Sequence, residues 1–184
     1  MTDTHIEIPL WKHLRAIAVL PGVVLIVIPA ALLYFSGSAD LGLSPARPWN
    51  VLHLLIGFAF VVLGVLLMAT AIALLHRVGM GTLAPWNPTG RLVVLGVYQH
   101  VRNPMISGVF FVLLGEVLLF DSFPLLVWFC IFLALNVVYI PIVEEPGLER
   151  RFGRDYERYE RNVPRWIPRL RPWTGLAEED RESD

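Results

Sequence analysis

Apolar runs separated by short polar islands fill the chain from Ala16 to Val143, and a charge-rich segment follows. Residues 16–35 carry no charge. That length is close to the roughly 20 residues that cross a bilayer core, and it predicts a first membrane helix that Pro21 and Pro29 kink without ending. SGSADLGLSPARPWN, residues 36–50, has the glycine, proline and serine content of a loop. A second span is predicted over 51–75, where His53 is the one titratable residue. A shorter apolar run covers 104–120, Asp121 and Ser122 mark a tight turn, and a fourth span follows over 123–143, so these two form a helical hairpin. Glu116, five residues before the turn, reads as an acid near the far membrane face that bonds a neighbouring helix or water, and Asn136 reads as interhelical glue.

Between the second and third spans, residues 76–101 hold Gly79, Gly81, Pro85, Pro88, Gly90 and Gly96. This connection is too broken for a helix and too polar for lipid, and long connections of that kind tend to be functional. Gly79-Met80-Gly81 has no preceding strand pattern and reads as plain loop. Beyond Val143 the sequence becomes EEPGLERRFGRDYERYERNVPRWIPRLRPW. Leu148, Phe152, Tyr156, Tyr159 and Val163 recur at spacings of four, four, three and four, which places them on one helix face. An amphipathic helix is therefore expected over 144–162, able to lie at the membrane surface with its arginines meeting lipid phosphates or Glu149, Asp155, Glu157 and Glu160. Pro164 and Pro168 force an extended segment in which Trp166 and Trp173 are the aromatics expected at a bilayer interface. The acidic end, 176–184, is expected to be disordered.

Composition sharpens the class. Charged residues are 17% and hydrophobic ones 55%, where a soluble domain carries roughly 25% charged residues. The prediction is a single-domain, all-α, polytopic membrane protein with four transmembrane helices and a cytoplasmic C-terminal amphipathic helix. The N-terminal run is long for a signal peptide and lacks a small-residue cleavage site, so it is kept as a span. Cys130 is the one cysteine, which excludes an intrachain disulfide framework and a multi-thiolate zinc site. With both termini cytoplasmic, Lys12, Arg15, Arg77, Arg91, Arg102 and every arginine from Arg150 onward fall inside, and Arg47 falls outside. Residues 96–108 and the pair Glu144 and Glu145 then meet at the cytoplasmic membrane surface.

That convergence defines the candidate chemistry. GVYQHVRNPMISG, residues 96–108, packs an aromatic, a histidine, an arginine, an asparagine and a proline at the mouth of an apolar helix, where irregular polar backbone is tolerated only if it lines protein or a cavity. It reads as half of a cofactor pocket, with Glu144 and Glu145 as the other half. The five histidines are scattered, so no metal cluster is expected, and no G-x-S-x-G supports serine hydrolysis. Group transfer from a zwitterionic, cationic donor fits better. Glu144 or Glu145 can hold an ammonium, Arg102 can hold a carboxylate, and Tyr98, Tyr156 or Tyr159 can contact a sulfonium or an adenine ring. The competing structural reading has Arg102 pair with Glu144 or Glu145 to pin the C-terminal helix, with Tyr156 and Tyr159 as its buried stripe.

The ordered motifs G-V-Y-x-x-x-R-N-P-M-x-x-G and E-E-P-x-L-x-x-x-F-G-x-x-Y-x-x-Y-x-x-x-V-P-R-W-I-P-R span 85–169 with the connection before them. This arrangement resembles the integral membrane methyltransferases related to isoprenylcysteine carboxyl methyltransferase and the phospholipid methyltransferases. The resemblance implies S-adenosylmethionine bound by Tyr98, Arg102, Asn103, Pro104, Met105, Gly108, Glu144 and Glu145, with Tyr156 joining on the chemistry above and Arg102 and Glu145 as the catalytic pair. Implied partners are the lipid bilayer and a lipophilic acceptor, with no nucleic acid. Asn103 stands where the family usually has histidine, and Ile106 where it usually has an aromatic. Asparagine cannot accept a proton from substrate. Methyl transfer starts from an activated donor, so positioning carries most of the catalysis. The rivals are an NADPH-dependent membrane reductase related to sterol reductases, which needs more spans than this length supplies, and a non-catalytic protein that keeps the fold.

Overall fold

A computed structural model of the chain describes residues 21–37, 50–78 and 92–175. Residues 16–20 of the expected first span, most of the loop after it, the glycine- and proline-rich stretch 79–91 and the acidic tail 176–184 lie outside the described residues. Among the described residues every regular element is helical. We number the helices α1 (Val23–Ser36), α2 (Asn50–Val78), α3 (Pro104–Phe120), α4 (Phe123–Phe152) and α5 (Arg154–Asn162), with a single 3-10 turn at Gly96–Gln99.

Two of these helices are long and apolar enough to cross a membrane, over Val51–Leu75 and Phe123–Phe152, and α1 and α3 are shorter apolar helices. Their surfaces follow suit, since Leu55, Phe58, Leu66, Leu135 and Val138 stand exposed. A proline accompanies each of two π turns, Pro29 just after Val23–Val27 and Pro141 within Ile140–Glu144. Proline lacks the N–H for the bond four residues back and its ring crowds that carbonyl, so a wider turn lets the helix continue.

The most extensive packing joins α2 to α3 along a seam of small residues. Gly57 faces Gly115 and Gly64 faces Gly108, each so close that an added Cβ would meet backbone oxygen at 2.5–3.0 Å. Ala71, seven residues beyond Gly64, is fully buried on the same stripe. A seven-residue repeat of small side chains lets two antiparallel apolar helices approach closely, which is the main source of helix association where lipid is as apolar as leucine. The hairpin of α3 and α4 turns at Asp121, which adopts φ 44. Phe110 of α3 packs on Phe129 and Phe132 of α4. Trp128 of α4 donates its indole N–H to Val24 O in the π turn of α1 at 3.2 Å.

The charged segment differs from its expected form. Helix α4 does not end at Val143 but runs on through both glutamates to Phe152, and the single helix expected over 144–162 is broken at Gly153. That glycine has φ 55 and ψ −128, a region a side chain rarely adopts. The apolar face of α5 is also not spread on a membrane. Tyr156, Tyr159 and Val163 are buried against Leu92, Val94, Leu148, Phe152 and Trp173 of the chain itself. The remaining segment, 164–173, forms a strap across the loop before α3. Arg102 N–H donates to Pro164 O at 2.9 Å, Arg169 N–H to His100 O at 3.0 Å and Trp173 N–H to Gln99 O at 3.1 Å.

Candidate active site

Glu145 sits two residues past the apolar part of α4, buried, at the junction of three segments. From the loop before α3, Arg102 brings Nη1 to 3.0 Å from Glu145 Oε1 and to 2.8 Å from Glu160 Oε1 on α5. From the strap, Arg165 donates Nε to Glu145 Oε1 at 2.7 Å and Nη2 to Oε2 at 2.5 Å. The fork of a guanidinium matches the two oxygens of a carboxylate, so this contact fixes orientation as well as charge. Two arginines and two glutamates thus cancel in a network whose centre is dry: the Arg102 and Glu145 side chains are each 8% exposed. The Arg165 guanidinium holds its proton more tightly than an isolated one, first because of its hydrogen bonds to Glu145.

The tyrosines frame this network. Tyr159 donates its hydroxyl to Tyr98 O at 2.7 Å, tying α5 to the 3-10 turn. Tyr156 is buried; burial first and Glu145 second raise its pKa above the ordinary tyrosine value, with the charge of Arg102 opposing them. Tyr98 is raised by burial and then by the charge of Glu144. Glu144 itself is exposed, and among the described residues no ion pair engages it. One donor of the cluster is left over: Arg102 Nε is buried without a hydrogen-bond partner, the kind of orphan that asks for an acceptor.

The structure thus gathers Tyr98, Arg102, Glu144, Glu145 and Tyr156 at one place. Asn103 and Pro104 form the start of α3, Asn103 as its N-cap without a side-chain cap bond and Pro104 buried in its first turn. Met105 follows, half-buried. Gly108 lies apart from the cluster, in the seam against Gly64 and Met68 of α2. Sequence reasoning assigned nothing to Arg165, and it offered Glu160 only as an acid for the arginines of its own helix, whereas its partners Arg102 and Arg165 come from outside that helix. Arg165 stands within the V-P-R-W run, and a cation in a segment forced to be extended by two prolines was the available signal. Glu160 was one acid among several on α5.

Two helices long and apolar enough to cross a membrane thus accompany a buried Arg–Glu network and, beside it, an exposed acid, all at one end of α4. The phospholipid methyltransferase family model matches residues 52–155, more than half of the chain, and the chain belongs to that family, an integral membrane family of methyltransferases. No curated protein and no solved structure matches the chain. The match takes in α2, α3, the Gly96–Gln99 turn and α4, and stops before Tyr156, Glu160 and Arg165.

Proposed function

We propose that this protein transfers a methyl group from S-adenosylmethionine to a membrane-soluble acceptor, at the cytoplasmic surface of a four-span domain with both termini inside. The observation that carries the reading is the division of labour between adjacent glutamates. Glu145 has both oxygens taken by Arg102 and Arg165, whereas Glu144, whose charge acts on Tyr98, is exposed and has no ion-pair partner among the described residues. Glu144 is therefore the acid that holds the donor's ammonium, and Glu145 is the group that locks Arg102. Arg102, fixed by Glu145 and Glu160, presents its orphaned Nε as a donor to a carboxylate of the donor or acceptor. Tyr98 and Tyr156 stay neutral and offer ring faces to a cation. The bound donor supplies an already activated methyl group, so the chain's own task is to orient, to exclude water and to keep its charges paired.

Asn103 at the start of α3 accepts no proton, which favours an acceptor that needs no base, such as a carboxylate, or one deprotonated beforehand. Calorimetric titration of the detergent-purified protein with S-adenosylmethionine and, separately, with NADPH tests the assignment. Binding of the first is expected, weakened about tenfold or more in Glu144→Gln, a loss of roughly 1.4 kcal/mol, with unchanged thermal stability. Binding of NADPH alone would favour the reductase reading, and binding of neither the non-catalytic one. Labelled methyl transfer into a membrane extract, followed by base treatment, then separates an ester product from an amine.

A further inference from the structure

Among the described residues beyond Val143, the large apolar side chains that stand exposed are Ile167 and Leu170, at 79% and 98%. Both lie on the strap, and their exposure does not come from a loose backbone, because the three backbone bonds to Gln99, His100 and Arg102 hold the strap along its length. The aromatics of the same segment are turned the other way. Trp173 packs on Tyr159, and Trp166 packs on Phe110 with ring centroids 5.4 Å apart.

The Trp166 contact fixes the level of the strap. Phe110 lies in the second turn of α3, about 9 Å along the helix from its start at 1.5 Å per residue. It is packed in turn on Phe132 of α4, which is about 20 Å back along that helix from Glu145 by the same rise. Trp166 therefore reaches past the ion-pair network toward the apolar part of the bundle, while Arg165 beside it holds Glu145. Ile167 follows Trp166 directly in the chain, and Leu170 lies three residues beyond it. Arg169 and Arg171 flank Leu170, and Arg171 is exposed.

We propose that the strap 164–173 is a bilayer-contact surface, with Ile167 and Leu170 seated in the interfacial region and Arg171 meeting the phosphates of anionic lipids. Apolar side chains between basic ones are the composition that seats a segment at a membrane interface. The partner is the lipid surface itself, and the strap carries Arg165 on its other side, so the lipid seat and the Glu145 clamp belong to one tethered segment. The proposal rests on the reading of α2 and α4 as spans, and the experiment separates the two.

The full chain with Cys130→Ser is spin-labelled through Leu170→Cys, through Leu55→Cys on the exposed face of α2, or through Glu157→Cys on α5, and placed in nanodiscs of phosphatidylcholine with phosphatidylglycerol. Leu170 is almost wholly exposed, so its replacement removes no packing. The expected result is that labels at 55 and 170 meet oxygen more readily than a water-soluble nickel chelate, and the label at 157 the reverse. An aqueous label at 170 with a lipidic label at 55 overturns the proposal and leaves the spans intact; an aqueous label at 55 overturns both. Omitting phosphatidylglycerol should lower the inserted fraction at 170 about fivefold relative to the free form, the factor for one basic residue near an anionic surface. Arg171→Gln should abolish that lipid dependence. A label at 170 indifferent to phosphatidylglycerol overturns the headgroup part.

Discussion

Replacing Arg165 with alanine removes two charge-assisted hydrogen bonds from a carboxylate that has little access to water. Breaking a buried pair by deleting one partner costs about 3–5 kcal/mol when the other is left uncompensated. Here the loss is smaller, because Arg102 stays 3.0 Å from the same carboxylate and Arg165, 30% exposed, leaves an opening that water can fill. About 2 kcal/mol is expected, the worth of a net hydrogen bond to a charged group. For a chain of this length that corresponds to a fall of roughly 4–8 °C in Tm. Arg165→Lys keeps the charge but not the fork, and should recover about half of the loss. The assay is thermal unfolding in detergent followed by tryptophan fluorescence, run as a double-mutant cycle with Glu145→Gln. If the bidentate contact carries the effect, Arg165→Ala in the Glu145→Gln background should cost less than about 0.5 kcal/mol. An unshifted Tm in the single variant, or an undiminished cost in the Gln background, would refute the reasoning.

The helix seam gives a contrasting pair of glycine replacements. Gly64→Leu drives its side chain against Gly108 O and Val112, which an ideal Cβ already meets at 2.5 and 2.7 Å, and is expected to lower stability by about 1–3 kcal/mol. Gly147→Ala, with nothing within 4 Å of its Cβ on α4, should raise it by roughly 0.5–1 kcal/mol; equal effects in thermal unfolding would contradict the seam. Alkaline pH probes the tyrosines. Burial raises the pKa of Tyr98, Tyr156 and Tyr159 in the folded state, above the roughly 10 of an unfolded tyrosine. Their contribution is complete below that pH and is lost as pH rises past it, because the unfolded chain ionises first. Tm should therefore fall above about pH 10, less steeply in Tyr159→Phe, and a flat profile in the parent protein would count against the buried cluster.

Much of the fold was legible in the chain because apolar length is a local signal. The 104–120 helix, the Asp121 turn and the core of the second span follow from counting uncharged residues, and the structure places them where the pattern does. The break at Gly153 and the extension of α4 through the glutamates were not legible. A run of charges signals the end of an apolar surface and says nothing about the end of a helix, since Glu145, Arg150 and Arg151 are compatible with helical backbone. The buried stripe of Tyr156, Tyr159 and Val163 was visible in its spacing, but the surface that covers it was not. It is covered by Leu92 and Val94, residues distant in sequence, and by Trp173 at the end of the strap.

By itself the sequence determined a helical membrane protein, the family to which it belongs, and the two motifs whose residues meet at one site. Those properties depend on composition and on short spacings, which are fixed before the chain folds. The tertiary structure alone decided which glutamate is locked and which is left open, and that Gly108 belongs to a helix seam. It also decided that Arg165 and Glu160 complete the network around Arg102. Adjacent glutamates on a helix point about 100° apart, so their partners follow from how α3, α5 and the strap pack around α4, and that packing is a long-range property no local pattern records.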